Sequence, residues 1–170
     1  MARSILIPDT PSVASGQMTK VTLPELLKIA DTRKIRVLVE TLRQVTNMGW
    51  REDSVHPNGG TLRYWIASPD GRDRVLFGMN VGGNKFKTPE GALDVWIWPE
   101  TAAEYSGFSI EDIWDQLEEF KSLRASNKRF VTRIKDDAEA LKFYNLLAKW
   151  DSTNAELRAK REAEERESQN

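Results

Sequence analysis

Lys121, Arg124, Lys128, Arg129, Arg133 and Lys135 follow one another with no acid between them. Cations at that density can neutralise phosphates, and binding of that kind weakens as salt rises. A second pattern accompanies the run. Strands expose alternate residues on opposite faces. Residues 61–67 then set Arg63 and Trp65 against Leu62, Tyr64 and Ile66. Residues 92–98 set Asp94, Trp96 and Trp98 against Leu93, Val95 and Ile97. Residues 129–135 set Arg129, Val131 and Arg133 against Phe130, Thr132 and Ile134. With the apolar sides turned inward together, the other face of the sheet shows three Trp among Arg. Indole and guanidinium planes stack on nucleobases. The same residue types anchor protein interfaces. Two plainer readings compete: a helix covering the Trp as ordinary core, and a helix end followed by a charged, soluble edge strand for the cations.

The loop Gly82-Gly83-Asn84-Lys85-Phe86-Lys87 adds Lys85 and Lys87 as phosphate candidates, but it matches neither a P-loop nor a dinucleotide fingerprint. A flexible strand connection is the plainer reading of it.

Catalytic chemistry finds little support. The chain has no cysteine, which excludes disulfides, thiolate metal centres and Cys nucleophiles. Its single histidine, His56, sits beside Pro57 and reads as a surface turn residue. Asp70, Asp73, Asp94 and Glu100 invite comparison with metal-dependent nucleases. The order helix, three strands, helix, strand resembles the core of restriction-endonuclease-like folds. That resemblance implies an acid on the second strand, and on the third an acid, a spacer and a Lys that activates water with the metal. Here the third strand reads Asp94-Val95-Trp96 with no Lys following, and the second has no acid inside it. Element order alone implies no activity. The order helix, three strands, helix is also similar to double-stranded-RNA-binding domains. Their basic signature at the second helix is replaced here by Ser109-Ile110-Glu111-Asp112. No catalytic residue, metal or cofactor is therefore expected.

The elements that must position these residues follow from capping, periodicity and turns. Residues 1–20 read as a flexible arm broken by Pro8, Pro11 and Gly16, with Ile5-Leu6-Ile7 able to dock on an edge. That apolar run is too short for a signal peptide. Thr22-Leu23-Pro24-Glu25 is a capping box opening a short helix to Ala30. A longer helix, capped by Asp31 or Thr32, carries Ile35, Leu38, Leu42 and Val45 and stops at Gly49. Strands are expected over 61–67, 74–81 and 92–98, with Ser68-Pro69-Asp70-Gly71 turning the first into the second and Pro99 ending the third. Ser109 caps a further helix. A fourth strand spans 129–135, and Asp136 with Glu139 forms a second capping box for a helix to about Trp150. Residues 152–170 are Ala, Glu, Arg and Lys with one Leu, a polar tail that is either a solvated helix or disordered.

The expectation is one α+β domain over residues 21–151. It has an antiparallel sheet of three to four strands, N-terminal helices, a crossover helix and a C-terminal helix. The chain has 170 residues, 39% of them hydrophobic, and a net charge of −1, so any electrostatic function rests on local patches. No stretch approaches a membrane span. The expected location is the cytoplasm of a bacterium or of a virus infecting one. The expected function is a non-enzymatic binding module contacting nucleic acid through Arg63, Trp65, Trp96, Trp98 and the basic run. A protein–protein adaptor or inhibitor using the same aromatics is the alternative, and a divergent metal-dependent nuclease comes third. The sequence leaves oligomeric state open.

Overall fold

The computed structural model describes residues 20–67, 71–126 and 128–169. The Ile5-Leu6-Ile7 run and residues Ser68, Pro69 and Asp70 of the first turn lie outside that range.

The N-terminal layer forms as its caps dictate. Thr22 and Glu25 close a reciprocal capping box on α1 (Leu23–Thr32). The longer helix expected next is not capped by Asp31 or Thr32, which end α1 instead. Lys34 takes a left-handed backbone (φ 61°), and α2 (Arg36–Arg43) begins afterwards with no side-chain cap. A 3₁₀ turn over Gln44–Asn47 finishes the segment.

Among the described residues the sheet has six strands, not three to four: β1 (Arg51–Val55), β2 (Thr61–Ala67), β3 (Asp73–Asn80), β4 (Leu93–Ile97), β5 (Ser122–Ala125) and β6 (Phe130–Ile134). All pairings are antiparallel, in the order β1-β2-β3-β4-β6-β5. The two strands added to the expectation are the edges. Neither carries the apolar alternation that marks a half-buried strand. Arg51-Glu52-Asp53-Ser54-Val55 is nearly all polar, and every residue of β5 is exposed. The cations Lys121 to Lys135 thus lie on a hairpin, not at a helix end.

Pro99 ends β4 as expected, and it also occupies the first turn of a further helix, α3 (Pro99–Ser106), where its missing N–H costs nothing. Ser109 caps α4 (Ile110–Leu117) by accepting from Asp112 N. Asp136 accepts from Glu139 N to cap α5 (Asp137–Ser168). Glu139 does not return the bond to the cap residue. Its Oε1 accepts from Lys135 N one position earlier, at 3.0 Å.

The inner face of the sheet supplies Leu62, Tyr64, Ile66, Phe77, Met79, Leu93, Val95, Ile97, Phe130 and Ile134 to one core with the helices. Phe77 stacks on Tyr64 with ring centres 4.3 Å apart and meets Trp50 edge-on. Helix α5 runs well past Trp150. Asn154 Nδ2 donates to Tyr105 O at 2.8 Å, and the Leu157 side chain rests against Gly107. Burial is the larger cause, and the bond to Asp151 the next, of a Tyr105 phenol pushed well above its ordinary pKa. No described helix is long and apolar enough to cross a membrane.

Candidate nucleic-acid interface

Strand alternation leaves Arg63, Trp65, Trp96 and Arg133 on the face opposite the core, with Trp98 following Trp96 at the strand end. All five are only partly buried. A groove of about 240 Å³ crosses this face. Val55, Pro57, Asn58, Thr61 and Arg63 line it on the β1–β2 side, and Trp96, Trp98, Lys85 and Arg129 on the other. Among the described residues no α-helical residue lines it. Trp96 and Trp98 are thus not roofed by any described helix.

They differ in what they offer. Trp65 is already occupied: the guanidinium groups of Arg51 and Arg63 lie over its ring at 5.5 and 4.9 Å. Trp96 lies against the backbone of Gly78, where a Cβ would meet its Cζ2 at 2.2 Å. Its Nε1 donates to Asn80 Oδ1 at 3.2 Å. Trp98 has Arg129 over its ring at 5.9 Å. Trp96 and Trp98 line the groove and Trp65 does not.

The cations also divide. Arg63 is held by Asp53 through Nε–Oδ1 at 3.0 Å and Nη2–Oδ2 at 2.6 Å. Burial works to raise the Asp53 pKa, but the Arg63 hydrogen bonds, the Trp65 indole and the charges of Arg63 and Arg51 outweigh it, and the net is lowered. Arg133 is held by Asp94, Nε–Oδ1 at 2.8 Å and Nη2–Oδ2 at 3.1 Å. Asp94 has no exposed side-chain surface, and it also accepts from the Thr88 hydroxyl. Its hydrogen bond raises the Arg133 pKa against the opposing effect of burial. Both arginines are therefore neutralised where they stand.

Lys85, Arg124 and Arg129 are not. Among the described residues none of the three makes an ion pair. Lys85 Nζ and Arg124 Cζ both lie over Phe86, at 5.6 and 5.7 Å. Partial burial, then Arg129, then Arg124, lowers the Lys85 pKa, as expected for cations gathered without an acid. The remaining candidates sit apart. Lys121 and Lys135 line a second depression of about 260 Å³ with Ser122, Leu123, Arg133 and Glu139. Lys128 is exposed in the β5–β6 turn, and Lys87 is exposed with φ 50° in the 82–91 loop.

That loop is pinned rather than a loose connection. Arg33 reaches from α1 and donates to the carbonyls of Val81, Thr88, Pro89 and Ala92 at 2.6–3.2 Å. Gly82 N bonds Gly60 O and Asn84 N bonds Asn58 O, tying the loop to the β1–β2 turn. Gly82 packs directly on the Gly59 backbone, where a Cβ would come within 2.3 Å of the Gly59 carbonyl carbon. Lys85 and Phe86 are thereby carried over the sheet by a fixed support.

The sequence pattern did not single out Phe86, Asp53 or Arg33. Phe86 stood in a loop among glycines, and Asp53 in a strand with no apolar alternation. Arg33 lies next to the core stripe of a helix, with its partners roughly fifty residues away. Among the described residues no group of three or more His, Asp or Glu could hold a metal ion. No protein-family model, curated protein or solved structure matches this chain.

Proposed function

We propose that this chain is a binding module that holds nucleic acid on the outer face of its sheet. One observation carries the reading. Two partly exposed indoles, Trp96 and Trp98, line a groove together with Lys85 and Arg129, Arg124 shares the Phe86 ring with Lys85, and none of the three cations makes an ion pair among the described residues. Stacking platforms beside unpaired cations suit the alternation of base and phosphate along an unpaired strand. A duplex keeps its base faces stacked inside, so it meets the cations but not the indoles.

Fluorescence anisotropy with a labelled single-stranded oligonucleotide tests this. Micromolar affinity is expected at low salt. With three phosphates neutralised, log K should fall against log salt with a slope of about −2. Trp96→Ala should weaken binding by about 1–3 kcal/mol and leave the slope unchanged. Absence of saturable, salt-dependent binding overturns the proposal. Salt-insensitive capture of one protein partner by the same face would replace it with the adaptor reading.

A further inference from the structure

Three cations that make no ion pair among the described residues gather beside the groove. Each diester carries one negative charge, and consecutive diesters are spread along the strand. Lys85 and Arg124 share a single aromatic ring, Phe86, and Arg129 stands over Trp98, the indole that lines the groove beside Lys85. A phosphomonoester carries about −1.5 to −2 charge at neutral pH and three strong acceptor oxygens. It matches such a cluster better than a diester does, and the two guanidinium groups can each fork onto its oxygens. Partial burial first, then repulsion from Arg129 and Arg124, lowers the Lys85 pKa, and an arriving dianion relieves the repulsion. Pro57 and Asn58 line the far side of the groove.

We infer that Lys85, Arg124 and Arg129 form a phosphomonoester site, taking the phosphorylated end of a single strand whose terminal base lies on Trp96 or Trp98. The strand-end part rests on the nucleic-acid reading above. A free nucleotide presents the same chemistry, so the test separates the two sources.

The full-length protein is titrated with short single strands of one sequence carrying a phosphate at the 5′ end, at the 3′ end, or at neither. Adenosine monophosphate is titrated in parallel. The strand phosphorylated at one end should bind about tenfold tighter than the hydroxyl-ended strand. Pyrophosphate should displace it at an ionic strength where chloride does not. Lys85→Gln combined with Arg124→Gln alters two exposed side chains and should erase the preference. The competition by pyrophosphate is read on unaltered protein, so it stands if that variant folds poorly. Equal affinity for all three strands overturns the inference and leaves the nucleic-acid reading in place. Binding of adenosine monophosphate but of no strand supports the phosphomonoester site and overturns the nucleic-acid reading.

Discussion

Replacing Arg133 by Ala should damage the fold and spare the interface, although Arg133 lies in the basic run and on the groove face. The carboxylate of Asp94 has no exposed surface, and Arg133 supplies two of its hydrogen bonds. Removing one partner of a buried pair typically costs about 3–5 kcal/mol, because the other charge is stranded. Three features reduce the figure here. The Arg133 side chain is 21% exposed, so water can follow it out. The Thr88 hydroxyl still donates to Asp94, and Arg33 lies close enough to feel its charge. A loss of about 2–4 kcal/mol remains. For a chain of this size that lowers the thermal midpoint by about 5–15 °C. The companion variant carrying Arg133→Gln and Asp94→Asn removes both charges and keeps the shapes. It should recover at least about half of the loss, since a coupled pair is not additive. Circular dichroism melts of wild type, Arg133→Gln, Asp94→Asn and the double variant give the cycle, with Arg133→Ala melted beside them. Oligonucleotide anisotropy, read well below each midpoint, gives the binding. Arg133→Ala should leave the salt slope unchanged, whereas Arg129→Gln should flatten it by about 0.7, the share of one phosphate on a single strand. The reasoning is refuted if Arg133→Ala costs under about 1 kcal/mol, or if it flattens the slope as much as Arg129→Gln does.

Gly78→Ala should destabilise by about 1–3 kcal/mol through overpacking, because the new Cβ would sit 2.2 Å from Trp96 Cζ2 and 2.8 Å from Leu62 O. An unchanged urea midpoint with unchanged Trp emission would show that the indole does not lie on that glycine. Asp53→Asn tests the pH dependence. The folded pKa of Asp53 is lowered, so its ionised form contributes stability above the unfolded value of about 3.9, and that contribution is lost as pH falls through the folded value. The stability gap between wild type and Asp53→Asn, measured by urea melts, should be widest above about pH 5 and narrow steadily on acidification. A gap that stays constant from neutral pH down to about pH 3 contradicts the Arg63 pairing.

The parts of the fold legible in the sequence are those whose periodicity reports burial. Residues 61–67 alternate and form β2 over those same residues. The capping box at Thr22 and the Ser109 cap open helices where they stand. The edge strands escape such reading because side-chain patterning does not hold them. β1 is placed by its ladder with β2, by the Arg63–Asp53 pair and by Glu52, which accepts from Arg43 and Tyr64. The largest effect on the Tyr64 phenol is burial, and together with Glu52 it pushes the pKa well up, keeping the hydroxyl a donor. Those side-chain contacts join residues nine to twelve positions apart, beyond any helical or strand period.

The candidate site shows the same limit at the level of single charges. Arg129 and Arg133 have the same side chain and share one face around β6, and local sequence treats them alike. Asp94 separates them: it lies thirty-nine residues from Arg133, and the register of β4 on β6 brings Asp94 directly opposite that arginine. One arginine becomes a partly buried structural cation paired with Asp94, and the other stands over an indole with no ion pair among the described residues. Phe86 illustrates the converse. A loop residue with no pattern around it becomes the shared seat of Lys85 and Arg124 once Arg33 clamps the carbonyls on either side. A count of basic residues therefore overstates the electrostatic site, because pairing removes some of its members. What matters for an anionic ligand is the subset of cations that folding leaves without acids; among the described residues Lys85, Arg124 and Arg129 belong to it and Arg63 and Arg133 do not.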